Sequence, residues 1–154
     1  MSRILIILVA IAAILATPVL AQNRKVPYWA SIRWEEVNMR VGPGENYPIK
    51  WVFKRKGLPL QVVRVVDGWR LVKDPDGEQG WMIARALTPN RAAFVTGEDT
   101  TEMREEPNID ARILWRVEPG VSGTLGDCRG DWCQIDVSGR AGWMQKSRLW
   151  GVED

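Results

Sequence analysis

The sequence predicts an all-β fold, two tandem small β-barrels after an N-terminal signal peptide, and three observations carry that prediction. An apolar run opens the 154 residues, tryptophans recur at a nearly constant interval, and Gly, Pro and Asp turn signals separate short β-branched stretches. The expected division is residues 1–21 as signal peptide, 22–28 as an N-terminal segment, 29–90 as the first barrel and 91–154 as the second.

The first element has the order of a secretory signal. Arg3 supplies the positive start, Ile4 to Leu15 is unbroken and apolar, and Val19-Leu20-Ala21 places small residues at the cleavage positions. The competing reading is an uncleaved anchor. Against it, the run has twelve residues, a bilayer needs about 20, and Thr17-Pro18 interrupts its continuation. Cleavage leaves Gln22 first, so the cysteine acceptor of a bacterial lipid anchor is missing. The expectation is a periplasmic or secreted protein with no membrane span after cleavage.

The barrels are read from an internal repeat. Met39-Arg40 recurs as Met103-Arg104, Pro43 as Pro107 and Trp51 as Trp115, each 64 residues later. The offset is 63 at Gly57/Gly120 and Trp69/Trp132, then 62 at Gly80-Trp81-Met82/Gly142-Trp143-Met144 and Leu87/Leu149, which places single-residue deletions in loops. Units of about 60 residues bury little of their unfolded surface, and large side chains offset that deficit. The repeated Trp51, Trp69, Trp81, Trp115, Trp132 and Trp143 are therefore expected in the cores. Trp29, Trp34 and Trp150 do not repeat and are candidates for an interface or an exposed surface.

Within the first unit, Pro59 to Val66 is rich in β-branched residues, Asp67-Gly68 is a two-residue hairpin signal and Trp69 to Lys73 resumes the strand. Asp74-Pro75-Asp76-Gly77 makes the next turn and Gln79 to Ile83 returns. Ala84 to Leu87 and Lys146 to Leu149 suit single helical turns before closing strands. Gly42-Pro43-Gly44 must be a loop. By repeat position Ala92-Ala93-Phe94-Val95 is the first strand of the second barrel, so little free linker separates the units.

The residues Val37-Asn38-Met39-Arg40-Val41-Gly42-Pro43-Gly44, Tyr47-Pro48, Trp51, Lys56-Gly57-Leu58-Pro59, Gly68-Trp69 and Gly80-Trp81 resemble the bacterial SH3-like domain family of exported Gram-negative proteins. The second copy departs from the pattern, with Glu105-Glu106-Pro107-Asn108 in place of the Gly-Pro-Gly loop and Val121-Ser122 in place of Leu58-Pro59. The resemblance implies five-stranded SH3-like barrels with a binding role, toward cell-wall peptide or glycan or toward another envelope protein. A shared fold does not fix a function.

Composition narrows the chemistry. The chain has no histidine, which removes the usual general base, the partner of Ser and Cys nucleophiles and the commonest zinc ligand. No catalytic, cofactor or metal residues are assigned, and the protein is expected not to be an enzyme. A buried Ser–Lys pair, or two carboxylates sharing a pocket with raised pKa values, would reverse that expectation. Both units and the signal account for the whole chain, so a catalytic domain would belong to a separate polypeptide.

Without Arg3 the charge is +1, from 20 basic and 19 acidic residues, which does not suit a nucleic-acid partner. Residues 29 to 96 carry 11 basic and 7 acidic side chains (+4) while 97 to 154 carry 7 and 12 (−5), opposite signs that either reflect two ordinary solvated surfaces or let the halves attract.

Two functions follow. The first is an envelope binding module for cell-wall peptide or glycan, with a groove formed by Arg40, Gly42, Pro43, Gly44, Tyr47 and Trp51, and by Arg104 and Trp115 in the second copy. Aromatic walls offer flat apolar area, and either arginine could pair with a wall-peptide carboxylate. The bland alternative for both arginines is a bridge to a nearby loop acid. The second function is a protein-interaction scaffold subunit of an envelope complex. The sequence assigns no oligomeric state.

The repeat also predicts a Cys128–Cys133 disulfide. Asp67-Gly68 is flanked by Val66 and Trp69, with Val65 and Arg70 next out; shifted by 63, Gly130-Asp131 becomes the loop and Cys128 faces Cys133. Such a pair is of the non-hydrogen-bonded kind, about 4.5 Å apart at Cα, within the disulfide range of about 4.4 to 6.8 Å. An oxidising compartment favours the bond. The alternatives are reduced core cysteines or, more weakly, a metal site completed by acids.

Overall fold

The computed structural model describes residues 24–153, so the expected signal peptide, residues 1–21, lies outside the described residues. Among those described, no helix is long and apolar enough to cross a membrane.

The first unit consists of β1 (Tyr28–Ile32), β2 (Val37–Arg40), β3 (Ile49–Phe53), β4 (Pro59–Val66), β5 (Trp69–Lys73), β6 (Gln79–Ile83), a 3₁₀ turn at Ala84–Ala86 and β7 (Leu87–Thr88). The second repeats it with β8 (Ala92–Val95), β9 (Thr101–Arg104), β10 (Ile113–Val117), β11 (Ser122–Arg129), β12 (Trp132–Val137), β13 (Arg140–Gln145), a 3₁₀ turn at Lys146–Arg148 and β14 (Leu149–Trp150). The sheets have matching strand orders, β3-β2-β6-β5-β4-β1-β7 and β10-β9-β13-β12-β11-β8-β14. Each sheet is antiparallel and has seven strands where the resemblance implies five, because β1 or β8 adds beside β4 or β11 and the two-residue β7 or β14 adds beside it in turn.

The repeat extends to register. Met39 faces Trp51 and Arg40 faces Ile49 across β2 and β3, as Met103 faces Trp115 and Arg104 faces Ile113 across β9 and β10. Both pairs of strands carry a bulge at the same place, as do β4/β5 and β11/β12. The change of offset from 63 to 62 falls in the turn between β5 and β6. There Asp74 pairs with Glu78 around three residues, while Val137 pairs with Arg140 around two.

The first core is built on Ile32, Met39, Leu60, Val62, Val72 and Met82, and the second on Val95, Met103, Cys133, Ile135 and Met144. The repeated Gly-Trp step has a packing cause. A Cβ on Gly80 would overlap the Met39 side chain and lie 3.1 Å from the Arg40 carbonyl oxygen. On Gly142 it would overlap Met103 and lie 3.0 Å from the Arg104 carbonyl oxygen. Only glycine lets β6 and β13 approach so closely.

The tryptophan expectation requires correction. Trp81 and Trp143 are buried and Trp69 and Trp132 half-buried, but Trp51 and Trp115 are 61% and 45% exposed. The reason is position in the sheet. Both lie on strands with a single neighbour, so the methionine opposite each is covered on both sides while the tryptophan extends beyond the core.

The linker is short, three residues from Pro89 to Arg91. Trp29 and Trp150 meet edge to face across the two units, with ring centroids 4.6 Å apart, so two of the three unrepeated tryptophans form an interface; Trp34 is exposed. Arg55 Nη1 donates to the Gly120 carbonyl at 2.5 Å. Every ion pair among the described residues stays within one unit, so it is apolar packing and hydrogen bonding, not the opposite charges, that join them locally.

Candidate functional site

The loop between β2 and β3 is shaped around Tyr47. A Cβ on Gly42 would occupy the space of the Tyr47 ring, and one on Gly44 would stand 2.6 Å from Asn46 Oδ1 and 3.2 Å from Tyr47 Cδ2. The two glycines around Pro43 thus let an aromatic ring lie against the backbone. Arg40 Nη1 donates to the Tyr47 carbonyl at 2.7 Å, and Arg104 Nη1 donates to the Ala111 carbonyl, also at 2.7 Å. These carbonyls are 64 residues apart, so one arginine staple serves both loops. Arg104 also pairs with Glu102 on its own strand. The partner common to both copies is a backbone carbonyl, where the sequence suggested a ligand carboxylate or a loop acid; only Arg104 has an acid as well, and that acid stands on its own strand.

In the second copy the loop is held by other chemistry. Asn108 Oδ1 accepts from the Asp110 amide at 2.9 Å, and Arg112 binds both oxygens of Glu105. That pairing lowers the Glu105 carboxyl below its ordinary range, first through the hydrogen bond and then through the charge of Arg112.

Beyond the loop, β3 presents Ile49, Trp51 and Val52 to solvent, and β10 presents Ile113 and Trp115. Beside Trp51 opens a cleft of about 310 Å³, bounded by Met39, Phe53, Lys50 and the turn acids Asp74, Asp76 and Glu78. Arg40, Gly42, Pro43, Gly44 and Tyr47 do not line it; the loop and the cleft are separate features of one edge.

The acids of the cleft differ. Asp74 is almost fully buried, and its Oδ1 accepts from the amides of Asp76 at 3.1 Å and Glu78 at 2.8 Å. Burial raises its pKa above the ordinary carboxylate value; the two amides oppose this, and the neighbouring Asp76 and Glu78 charges add to it. Glu78 is held below its ordinary value by the hydrogen bond and charge of Lys50, whose Nζ lies 2.8 Å from Glu78 Oε2. The cleft thus holds one carboxyl raised and tied to two amides beside one lowered by a lysine.

The second barrel closes the equivalent place differently. Val137 stands at the Asp74 position and Arg140 at the Glu78 position, and the Arg140 guanidinium lies over the Trp115 ring, 5.3 Å from its centroid. In sequence Asp74-Pro75-Asp76-Gly77 reads only as a turn, and Glu78 carries no assignment. Its signal was the exchange of Glu78 for Arg140 at matched repeat positions.

Cys128 and Cys133 face each other in register and form a disulfide, with Cα atoms 4.0 Å apart. That is a little closer than the separation expected from an ideal strand pair. Cys133 is fully buried, so the bond ties the hairpin tip into the second core.

Comparison with known proteins agrees with the repeat. The model of the bacterial SH3 domain matches residues 34–89 and 97–151. The chain is 23% identical over 125 residues to the "Putative N-acetylmuramoyl-L-alanine amidase YrvJ" of Bacillus subtilis (strain 168), covering 75% of this chain and 24% of that protein. It thus spans about a quarter of the length of that curated relative. Similar solved structures are NlpC2 from Trichomonas vaginalis (14% identity, TM-score 0.37, 80% of this chain and 48% of that one) and an NlpC/P60 family protein from Bacillus cereus ATCC 10987 (15%, 0.35, 80% and 56%). The chain belongs to the bacterial SH3 domain family, of which it carries two tandem copies.

Proposed function

We propose that this protein is an exported, non-enzymatic binding module of the bacterial envelope that engages cell-wall peptide or glycan along the β3 and β10 edges. The observation that carries the reading is the exposed apolar edge in both copies: Ile49 and Trp51 in one, Ile113 and Trp115 in the other. Large exposed aromatics at matched positions are costly to leave in water without a partner. They supply rigid contact area with little loss of side-chain freedom. The family and the amidase named among its relatives support a wall ligand. The signal-like first 21 residues support export.

The test is co-sedimentation of the mature chain with purified sacculi. Wild type is expected in the pellet, and a Trp51→Ala/Trp115→Ala variant in the supernatant. Equal sedimentation of the two would refute the assignment to these edges.

A second reading, a scaffold subunit that binds an envelope protein, is favoured by the open backbone of the same strands. Each of β3 and β10 has one neighbour, which suits addition of a partner strand. Crosslinking with mass spectrometry on native envelopes separates the two: crosslinks from β3 or β10 to a protein favour the scaffold.

A further inference from the structure

The two barrels treat one aromatic position in opposite ways. Trp115 carries the chain's own cation, since Arg140 stacks over its ring. Trp51, its counterpart, has no cation over its ring among the described residues, and the residue matching Arg140 is Glu78. Beside Trp51 the chain places three carboxylates and one ammonium, Asp74, Asp76, Glu78 and Lys50, around a single cleft. Lys50 is committed to Glu78 and to the Gln79 carbonyl. Among the described residues, Asp74 and Asp76 have no cationic partner.

We propose that the cleft beside Trp51 receives the cationic side chain of a peptide ligand, in the role that Arg140 plays for Trp115 within the second barrel. An aromatic face attracts a cation through its quadrupole, and fixed carboxylates nearby add directional charge. The second copy, with an internal arginine and Val137 in place of Asp74, cannot take the same ligand. The barrels are thus not redundant: the first binds a side-chain cation and the second is closed to it.

This deepens the wall-peptide reading by naming the ligand group, and its test separates the two. The probe is an N-acetylated, C-amidated Ala-Lys-Ala peptide, whose one charge is the lysine ammonium, compared with its Nε-acetyl-lysine twin. Binding is read from the indole N–H resonances at pH 7, with the Trp51 signal assigned by its loss in Trp51→Phe. The Trp51 resonance is expected to move with the lysine peptide and the Trp115 resonance to stay. The acetylated twin and the Asp76→Asn/Glu78→Gln variant should each bind about tenfold more weakly. Thermal melting of that variant near the wild-type temperature shows that it is folded; the two acids are exposed, so none of the core is touched. Equal response to both peptides, or no movement of Trp51, overturns the cation site. Sacculi retained equally by wild type and the double variant overturn it too while leaving wall binding intact. Sacculi not retained by wild type that binds the lysine peptide overturn only the wall reading.

Discussion

Gly80 and Met39 occupy one space: any side chain on the glycine of β6 would overlap the methionine that fills the first core. Gly142 and Met103 repeat the relationship. Gly80→Ala is therefore expected to destabilise by about 1–3 kcal/mol through overpacking. Gly68→Ala, at a site where nothing lies within 4 Å, should remain within about 0.5 kcal/mol. Urea denaturation of both variants checks the contrast.

The edge-to-face contact of Trp29 with Trp150 couples the units. A double-mutant cycle with Trp29→Ala and Trp150→Ala should return a coupling of about 0.5–1.5 kcal/mol. A value near zero would mean that the barrels stay together without it.

Asp74 makes stability depend on pH with a definite sign. Its folded pKa lies above the ordinary 3.8, so between those values the folded chain binds the proton more tightly. Its contribution falls as pH rises through that window. Asp74→Asn keeps an oxygen for the Asp76 and Glu78 amides and removes the charge. It should be more stable than wild type at pH 7, with the advantage disappearing below about pH 3.8. Asp74→Ala also loses both hydrogen bonds and should be less stable by about 1–3 kcal/mol. Glu78 has the opposite sign because Lys50 lowers its pKa, so the comparison is best made in a Glu78→Gln background. Melting curves from pH 3 to 8 provide the measurement.

Protein produced in an oxidising compartment, then denatured without reduction, should show no free thiols and a monomeric mass. Reduction is expected to cost about 2 kcal/mol, a small value because the bond closes so short a loop. Two thiols per chain would show that the cysteines are unpaired there.

Much of the fold was legible because an internal repeat supplies its own alignment. Met39/Met103, Gly80/Gly142 and the drifting offset carry the two units, and the repeat carries the facing of Cys128 with Cys133. Turn residues did the rest, since Asp67-Gly68 and Asp74-Pro75-Asp76-Gly77 restrict the backbone locally. The site was less legible. A repeated tryptophan looks the same in sequence whether it fills a core or stands at an edge, and Trp51 and Trp115 were misplaced for that reason.

The sequence by itself determined the all-β class, the duplication, the absence of histidine chemistry and the disulfide partners, because each depends on residue identity or on short-range spacing. Only the tertiary structure decided which tryptophans are covered, which carbonyls Arg40 and Arg104 bind, and that Arg140 lies on Trp115 while Trp51 faces a cleft of acids. Those relations join strands distant in the chain, and exposure depends on whether a neighbouring strand lies beyond, a fact that no local pattern contains.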